Sequence, residues 1–339
     1  MKALNKTLMI AGMLMTTTQL TAQDPSFSQF FSSPLNVNPA LTAHINADWR
    51  AIANFRDQWL GPASPYATGT ASFDTKLFNK NYPGVEEGNV FGGGIMMMYD
   101  KAMGGVVKSS YASTNFSYRV KLSNGDVKHK LGAGFGAIFG QRKIDFSGID
   151  FEEQFTGYGF NTNLPHGETS LSNMKAYVSV STGLVYSIVS EKTNIDIGGA
   201  AFHVNRPKQT FLQDDQQILP IRYVAHANFE TYINENTVLS FNTIFQKQST
   251  AQYYSVGGAL GYFLPSNPDI MLNGGLWYWS KNAVIPYFGL TYKDFQFGIS
   301  YDATISKLND ASNKPNTYEV SLILRGRNKP SHVIPCPWK

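Results

Sequence analysis

Apolar and polar residues alternate one for one along most of this chain. In Lys128–Lys143, KHKLGAGFGAIFGQRK, one parity holds Leu131, Ala133, Phe135, Ala137 and Phe139. The other holds Lys130, Gly132, Gly134, Gly136 and Arg142, with Ile138 the single apolar exception. Side chains of a strand point alternately to opposite faces, so this stretch reads as a strand with one greasy face and one small or polar face. Its glycines do not form a dinucleotide-binding turn. That fingerprint leaves two residues before its third glycine and opens a helix, whereas IDFSGIDFEEQFTGYGF follows here without a 3.6-residue apolar stripe.

The same pattern recurs. Ala51, Ala53 and Phe55 alternate with Arg50, Asn54 and Arg56; Val178, Val180, Leu184 and Tyr186 with Ser179, Ser181 and Ser187; Tyr223, Ala225 and Phe229 with Arg222, His226, Asn228 and Glu230. Leu239, Phe241 and Phe245 face away from Ser240, Asn242 and Gln246. Phe295, Phe297, Ile299 and Tyr301 face away from Gln296, Ser300 and Asp302, and Tyr318, Val320, Leu322 and Leu324 from Glu319, Ser321 and Arg325. About 14 segments of roughly 9–15 residues emerge, starting near residues 48, 65, 90, 106, 128, 174, 193, 220, 236, 251, 269, 283, 294 and 317. A strand tilted by about 45° crosses a bilayer in roughly 9–11 residues, and single-chain bacterial barrels have an even strand number.

The connections alternate in length. After even-numbered strands they are short: the Asn124-Gly125 turn, SEKTN, INENT, LPSNPD and YKDF. After odd-numbered strands come Lys143 to Asn173, Val204 to Leu219 and Ser306 to Asn316; Leu77 to Asn89 is the one long even junction. These features predict an all-β protein, a transmembrane antiparallel β-barrel of about 14 strands with short periplasmic turns and long extracellular loops. A soluble sandwich, propeller or solenoid is the competing reading. Against it, the face opposite the apolar one carries Arg50, Arg56, Arg222, His226, Glu230 and Asp302, too many ionised groups for a dry core, and no fixed-period repeat appears. These six are expected to face the lumen.

Composition agrees. Charged residues make up 15% and aromatics 14% of 339 residues, and the net charge of +4 is scattered, which gives nucleic-acid binding no support. Lys2 and Lys6, the apolar run Leu8 to Met15 and Thr21-Ala22-Gln23 read as a secretory signal peptide, with an apolar run too short to span a membrane. Cys336 is the only cysteine, so no intramolecular disulfide forms.

Candidate chemistry is sparse. Tyr254, Trp277, Tyr278, Trp279, Tyr287 and Tyr292 lie near strand ends and are expected to form an aromatic girdle at the head-group level. GGGIMMMYD, Gly92 to Asp100, admits a flexible ligand groove but reads more simply as the two faces of one strand. His129, His203 and His226 fall on separate segments with no G-x-S-x-G elbow and no metal-ligand spacing, so no catalytic residue, metal or cofactor is expected.

The expected layout is a signal peptide over 1–22, an N-terminal segment over 23–46, the barrel over 47–325 and a periplasmic tail over 326–339. For the segment QDPSFSQFFSSPLNVNPALTAHIN two readings stay open: a plug inserted in the lumen, or a disordered tail. Pro330, Pro335 and Pro337 keep the C-terminal tail out of the sheet; Cys336 is either a plain thiol or an attachment point.

The run Gln23 to Ala43, with Trp49-Arg50, Arg56 to Trp59, Ser64 to Thr68, His203 to Phe211 and the ending Cys336-Pro337, resembles the PorP/SprF family. Its most specific part is Q-D-P-x-F-S-Q-F-x-x-x-P-x-x-x-N-P-A, Gln23 to Ala40. The resemblance implies an outer-membrane component of, or accessory to, the type IX secretion system of the Bacteroidota. It implies a role in secretion and surface attachment of a large adhesin through its C-terminal domain, as in gliding motility. It also implies contact with other components, including a periplasmic peptidoglycan-binding lipoprotein, and it carries over no catalytic residues. Extracellular loops 143–173 and 204–219 are the favoured partner-binding segments. A diffusion channel for small or hydrophobic solutes is the alternative, and an outer-membrane lipase comes third.

Overall fold

In the computed structural model, residues 24–60, 65–77, 88–123, 125–146, 149–165, 167, 173–210, 217–307 and 315–326 are described. The signal peptide, Gln23, Asn124, Cys336 with the tail beyond Gly326, and most of the Leu77–Asn89 and Ser306–Asn316 junctions lie outside these residues.

Fourteen strands form the wall: β1 (Trp49–Leu60), β2 (Tyr66–Leu77), β3 (Val90–Ala102), β4 (Val107–Lys121), β5 (Lys128–Ile144), β6 (Tyr177–Val189) and β7 (Thr193–Phe202). They continue as β8 (Arg222–Asn234), β9 (Thr237–Gln248), β10 (Ala251–Leu264), β11 (Asn267–Trp279), β12 (Ala283–Tyr292), β13 (Phe295–Tyr301) and β14 (Asn316–Gly326). Ala303–Thr304 prolong β13 in the same register against Val284 and Ala283 after a break at Asp302. Each strand pairs antiparallel with its neighbours in sequence, and β1 pairs with β14 through partners such as Ile52↔Ile323 and Arg56↔Glu319. The sheet is closed, so no edge strand is left to template aggregation.

The alternation read from the sequence is the inside–outside alternation of this wall. Phe55, Ile95, Phe135, Val178, Tyr223, Leu260 and Leu276 are all more than 50% exposed and share the outer face. An unbroken ring of exposed apolar side chains is costly in water and suited to hydrocarbon. The methionine run splits as expected: Met97 points out, whereas Met96 and Met98 are buried inside against Phe27 and Leu35. The aromatic girdle needs correction. Tyr254, Tyr278 and Tyr292 are exposed, but Trp277, Trp279 and Tyr287 are buried inside. Trp277 and Trp279 have the opposite parity to Tyr278, and position near a strand end does not override parity. The sixth strand also begins later than its apolar pattern, at Tyr177; Met174 tucks into a small cluster with Tyr177 and Leu219.

Residues 24–47 occupy the interior. Phe27 to Ile45 are buried with the one exception of half-buried Phe31, although none of them belongs to the sheet. The segment turns tightly: a 3-10 turn at Phe30–Ser32, one α-helical turn α1 at Pro34–Val37, and a second 3-10 turn at Pro39–Leu41. Pro34 and Pro39 stand at first helical positions, where a fixed φ and a missing N–H cost nothing. Asn38 caps the last turn by accepting the Ala40 N–H at 2.8 Å. Gly134 of β5 and Gly183 of β6 find their reason here. A Cβ on Gly134 would overlap the Ala40 main chain, and one on Gly183 would overlap the Asn38 side chain. Glycine lets the plug's backbone lie directly on the wall. The main apolar cluster accordingly joins Phe30, Val37, Ala40 and Leu41 of the segment to Val185, Phe202, Ile244, Trp277 and Tyr287 of the strands.

Candidate functional site

The inner segment is pinned to the wall by charged and polar anchors. At its start, Asp24 Oδ2 meets His203 Nε2 at 2.7 Å and Arg222 Nε at 3.2 Å, while its N–H donates to Gln248 Oε1 at 3.0 Å. Burial alone would raise the Asp24 carboxyl. Arg222 and His203 more than offset that and hold it well below the usual carboxylate range.

Four residues on lies the second anchor. Glu319 of β14 accepts the main-chain N–H groups of Ser28 and Gln29, each at 2.8 Å, one on each oxygen. Arg56 of β1 bridges Glu319 at 3.0 Å and Asp302 at 2.8 Å, and it also reaches the Ser28 hydroxyl, which donates to Asp302 at 2.7 Å. The Gln29 amide donates to Ser300 Oγ and to the Glu319 carbonyl, both at 3.0 Å, and accepts from Ser321 Oγ at 2.7 Å. A buried amide with both N–H groups donated and its oxygen accepting is a specific lock rather than a loose contact.

The third anchor is Asn38, which donates to the carbonyls of Leu184 at 3.0 Å and Gly199 at 3.3 Å and lies 3.0 Å from His226 Nε2. The fourth is a pair at the segment's end. Asp74 accepts the Ala43 N–H at 2.7 Å while Arg50 bridges the same carboxylate at 2.7 and 3.0 Å. His44 Nε2 meets Asp196 at 2.9 Å, and Ser187 donates to that carboxylate at 2.5 Å. These ions are stable inside because each is paired and hydrogen-bonded.

All six residues singled out from the sequence lie on the inner face: Arg50 4%, Arg56 1%, Arg222 3%, His226 4%, Glu230 6% and Asp302 2% exposed. The structure brings Arg56 and Asp302 into one cluster and places Arg222 at Asp24. Arg50 and His226 line a cavity of about 30 Å³, room for a water, with Phe31, His44 and Asp196. Glu230 is inward, in register with Ser240 and Asn194 of the neighbouring strands. The six lumen candidates omit Asp74, Asp196 and His44, and also His203 and Glu319, which the sequence reading named without a partner. Parity placed Glu319 on the polar face, and it would have placed Asp74 there too, beside Thr68 and Thr70. Nothing local marks them as partners of residues up to 291 positions away.

One juxtaposition has the order of a hydrolytic triad. Ser179 Oγ lies 2.7 Å from His203 Nδ1, and His203 Nε2 lies 2.7 Å from Asp24. Ser179 has no exposed surface and the Asp24 carboxylate is shared with Arg222, so the arrangement as built holds the segment against the wall. The favoured loops share one rim. In 143–173, Lys143 bridges Asn173 and a small hairpin, Phe155↔Phe160, exposes Phe155, Tyr158 and Phe160; in 204–219, Lys208 bridges Ile218.

Solved structures similar to this chain include a CymD monoaromatic hydrocarbon channel, at 9% identity and a TM-score of 0.48 over 88% of this chain and 93% of that one. The P. putida toluene transporter TodX matches at 10% identity and 0.47, over 86% and 93%. A Pseudomonas aeruginosa FadL homologue matches at 9% identity and 0.44, over 85% and 92%. No curated protein sequence matches. The family model described as type IX secretion system membrane protein PorP/SprF matches residues 19–324, a span that takes in both the inner segment and nearly all of the wall. The chain therefore belongs to the PorP/SprF family of type IX secretion system membrane proteins.

Proposed function

We propose that this protein is a non-enzymatic, plugged outer-membrane barrel that supports secretion and surface attachment of a large adhesin by docking the adhesin's C-terminal domain. The observation that carries this reading is the filled lumen. The segment bearing the family-like signature is spent on anchoring, with Asp24, Ser28, Gln29 and Asn38 each hydrogen-bonded to the wall. A barrel so closed serves as a rigid platform, and specific contacts then fall to the loops after odd strands, 143–173 and 204–219, which face outside when the rim holding Trp49 and Gly326 is periplasmic. The segment's start, Asp24, lies at the loop rim beside His203 and Arg222, while its end, Ala43 and His44, lies at the short-turn rim, the side from which periplasmic components, among them a peptidoglycan-binding lipoprotein, can be met.

The test is removal of the gene in the native host, with the cell surface and periplasm assayed for adhesins. Retention or degradation of a large adhesin in the periplasm is expected, rescued by the full-length chain; unchanged surface display would reject the proposal. Planar-bilayer recording separates it from a diffusion channel. The purified barrel is expected to be silent, and a steady open pore would favour the channel.

A further inference from the structure

The outer face of β3, β4 and β5 carries a charge arrangement that the secretion reading does not use. Lys101, Lys108 and Lys143 are successive cross-strand partners, Lys101↔Lys108 and Lys108↔Lys143, all with outward parity at the rim of the long loops. Like charges set directly opposite one another repel. Lys108 has Asp145 at 2.6 Å, and Lys101 stands over the Tyr99 ring at 5.6 Å. Lys143 is exposed. Further round the same row, Lys101 pairs with Ala67, and Ala67 with Asp57 of β1. Among the described residues, Asp145 is the carboxylate paired with this row, and it is held by Lys108.

Directly toward the membrane centre the surface becomes apolar and hollow. The next outward row is Tyr99, Ser110 and Gln141, and the one after it Met97, Ala112 and Phe139. A cavity of about 560 Å³ lies here, with outward-parity Gly69, Ala71, Ser110 and Ala112 as its floor, Met97 and Phe139 as its walls, and inward-parity Asn54, Thr70, Met98 and Tyr111 also at its boundary. Met97 and Phe139 are 64% and 51% exposed, so nothing of the described chain covers them. On a lipid-facing wall, the occupant of an apolar hollow is an acyl chain, and a cation row at its polar end selects the head group.

We propose that this face binds one lipid carrying two head-group phosphates, with an acyl chain in the hollow and the phosphates on Lys101 and Lys143. The spacing argues for two. Lys108 is engaged by Asp145, and its two neighbours are separated by two strand spacings, about 10 Å. One phosphate between them would leave the far lysine unpaired. The site is independent of the docking function proposed above and survives its failure.

The test is native mass spectrometry of the full-length protein in non-ionic detergent, titrated with diphosphoryl lipid A, monophosphoryl lipid A and phosphatidylglycerol. The diphosphoryl lipid is expected to bind at about fivefold lower concentration than the monophosphoryl form, the effect of one lysine–phosphate contact near a membrane surface. Lys101→Gln with Lys143→Gln should raise the diphosphoryl midpoint about 30-fold. Ala112→Phe, which fills the floor and leaves the charges alone, should weaken it too. Equal midpoints for the three lipids with the wild-type protein, or an unchanged midpoint in the double-lysine variant, overturns the proposal.

Discussion

Arg56 and Glu319 face each other across the seam that closes the barrel, paired in register as residues of the first and last strands and bridged at 3.0 Å. The same carboxylate receives two main-chain N–H groups of the inner segment, so wall closure and segment anchoring share one buried ion pair. Arg56→Met would leave Glu319 and Asp302 as uncompensated neighbouring charges. Breaking a buried pair from one side costs about 3–5 kcal/mol. The variant is expected to lose the compact, fast-migrating form on unheated gels at a markedly lower temperature than the wild type.

Gly134 is where the segment's main chain lies directly on the wall. Gly134→Val drives a branched side chain into the Ala40 main chain, an overpacking of at least ~1–3 kcal/mol that is relieved by expelling the segment. Protease cleavage within 24–47 and steady conductance in planar bilayers are expected. Ala137→Val, on the outer parity of the same strand, should show neither.

Asn38 joins the segment to two wall carbonyls and to His226. Asn38→Ala orphans these buried groups at about 1–3 kcal/mol each where no water replaces the amide. Amide hydrogen exchange in Pro34–Leu41 should rise by at least tenfold, while the strands stay protected.

How much of this was legible beforehand follows from which forces are local. Parity alone placed fourteen strands and the inner face, because burial alternates residue by residue; Arg56, His226 and Asp302 are where alternation puts them. Partnership was not legible. Ser28 contacts Glu319, and Asp24 contacts His203, only because the chain's first residues fold back into the cylinder. The girdle reading failed at Trp277 and Trp279 because it took nearness to a strand end over the parity that turns them inward. Their large inward rings are accommodated by Phe31 and Tyr253 of a lumen that is filled, with ring centroids 4.8 Å apart in both pairs.

Asp24 gives the anchoring a pH dependence. Its carboxyl is depressed in the folded state, so its contribution is complete above the ordinary carboxylate value of about 3.9 and is lost as pH falls through the depressed one. Between pH 5 and 8 this carboxylate should leave segment protection unchanged. Asp24→Asn should weaken protection at pH 7 and flatten its fall in acid, measured by protease access at each pH.

The bond between Ser28 and Glu319 spans 291 positions, nearly the whole polypeptide. The residues that emerge first in synthesis therefore wait for the very last strand before they find their seat. Zipping the final pair of strands and capturing the contents of the cylinder are a single late event, slow for the reason that all distant pairings are slow. An assembly factor that holds the curling sheet ajar would also be holding the threshold through which the N-terminus must already have passed.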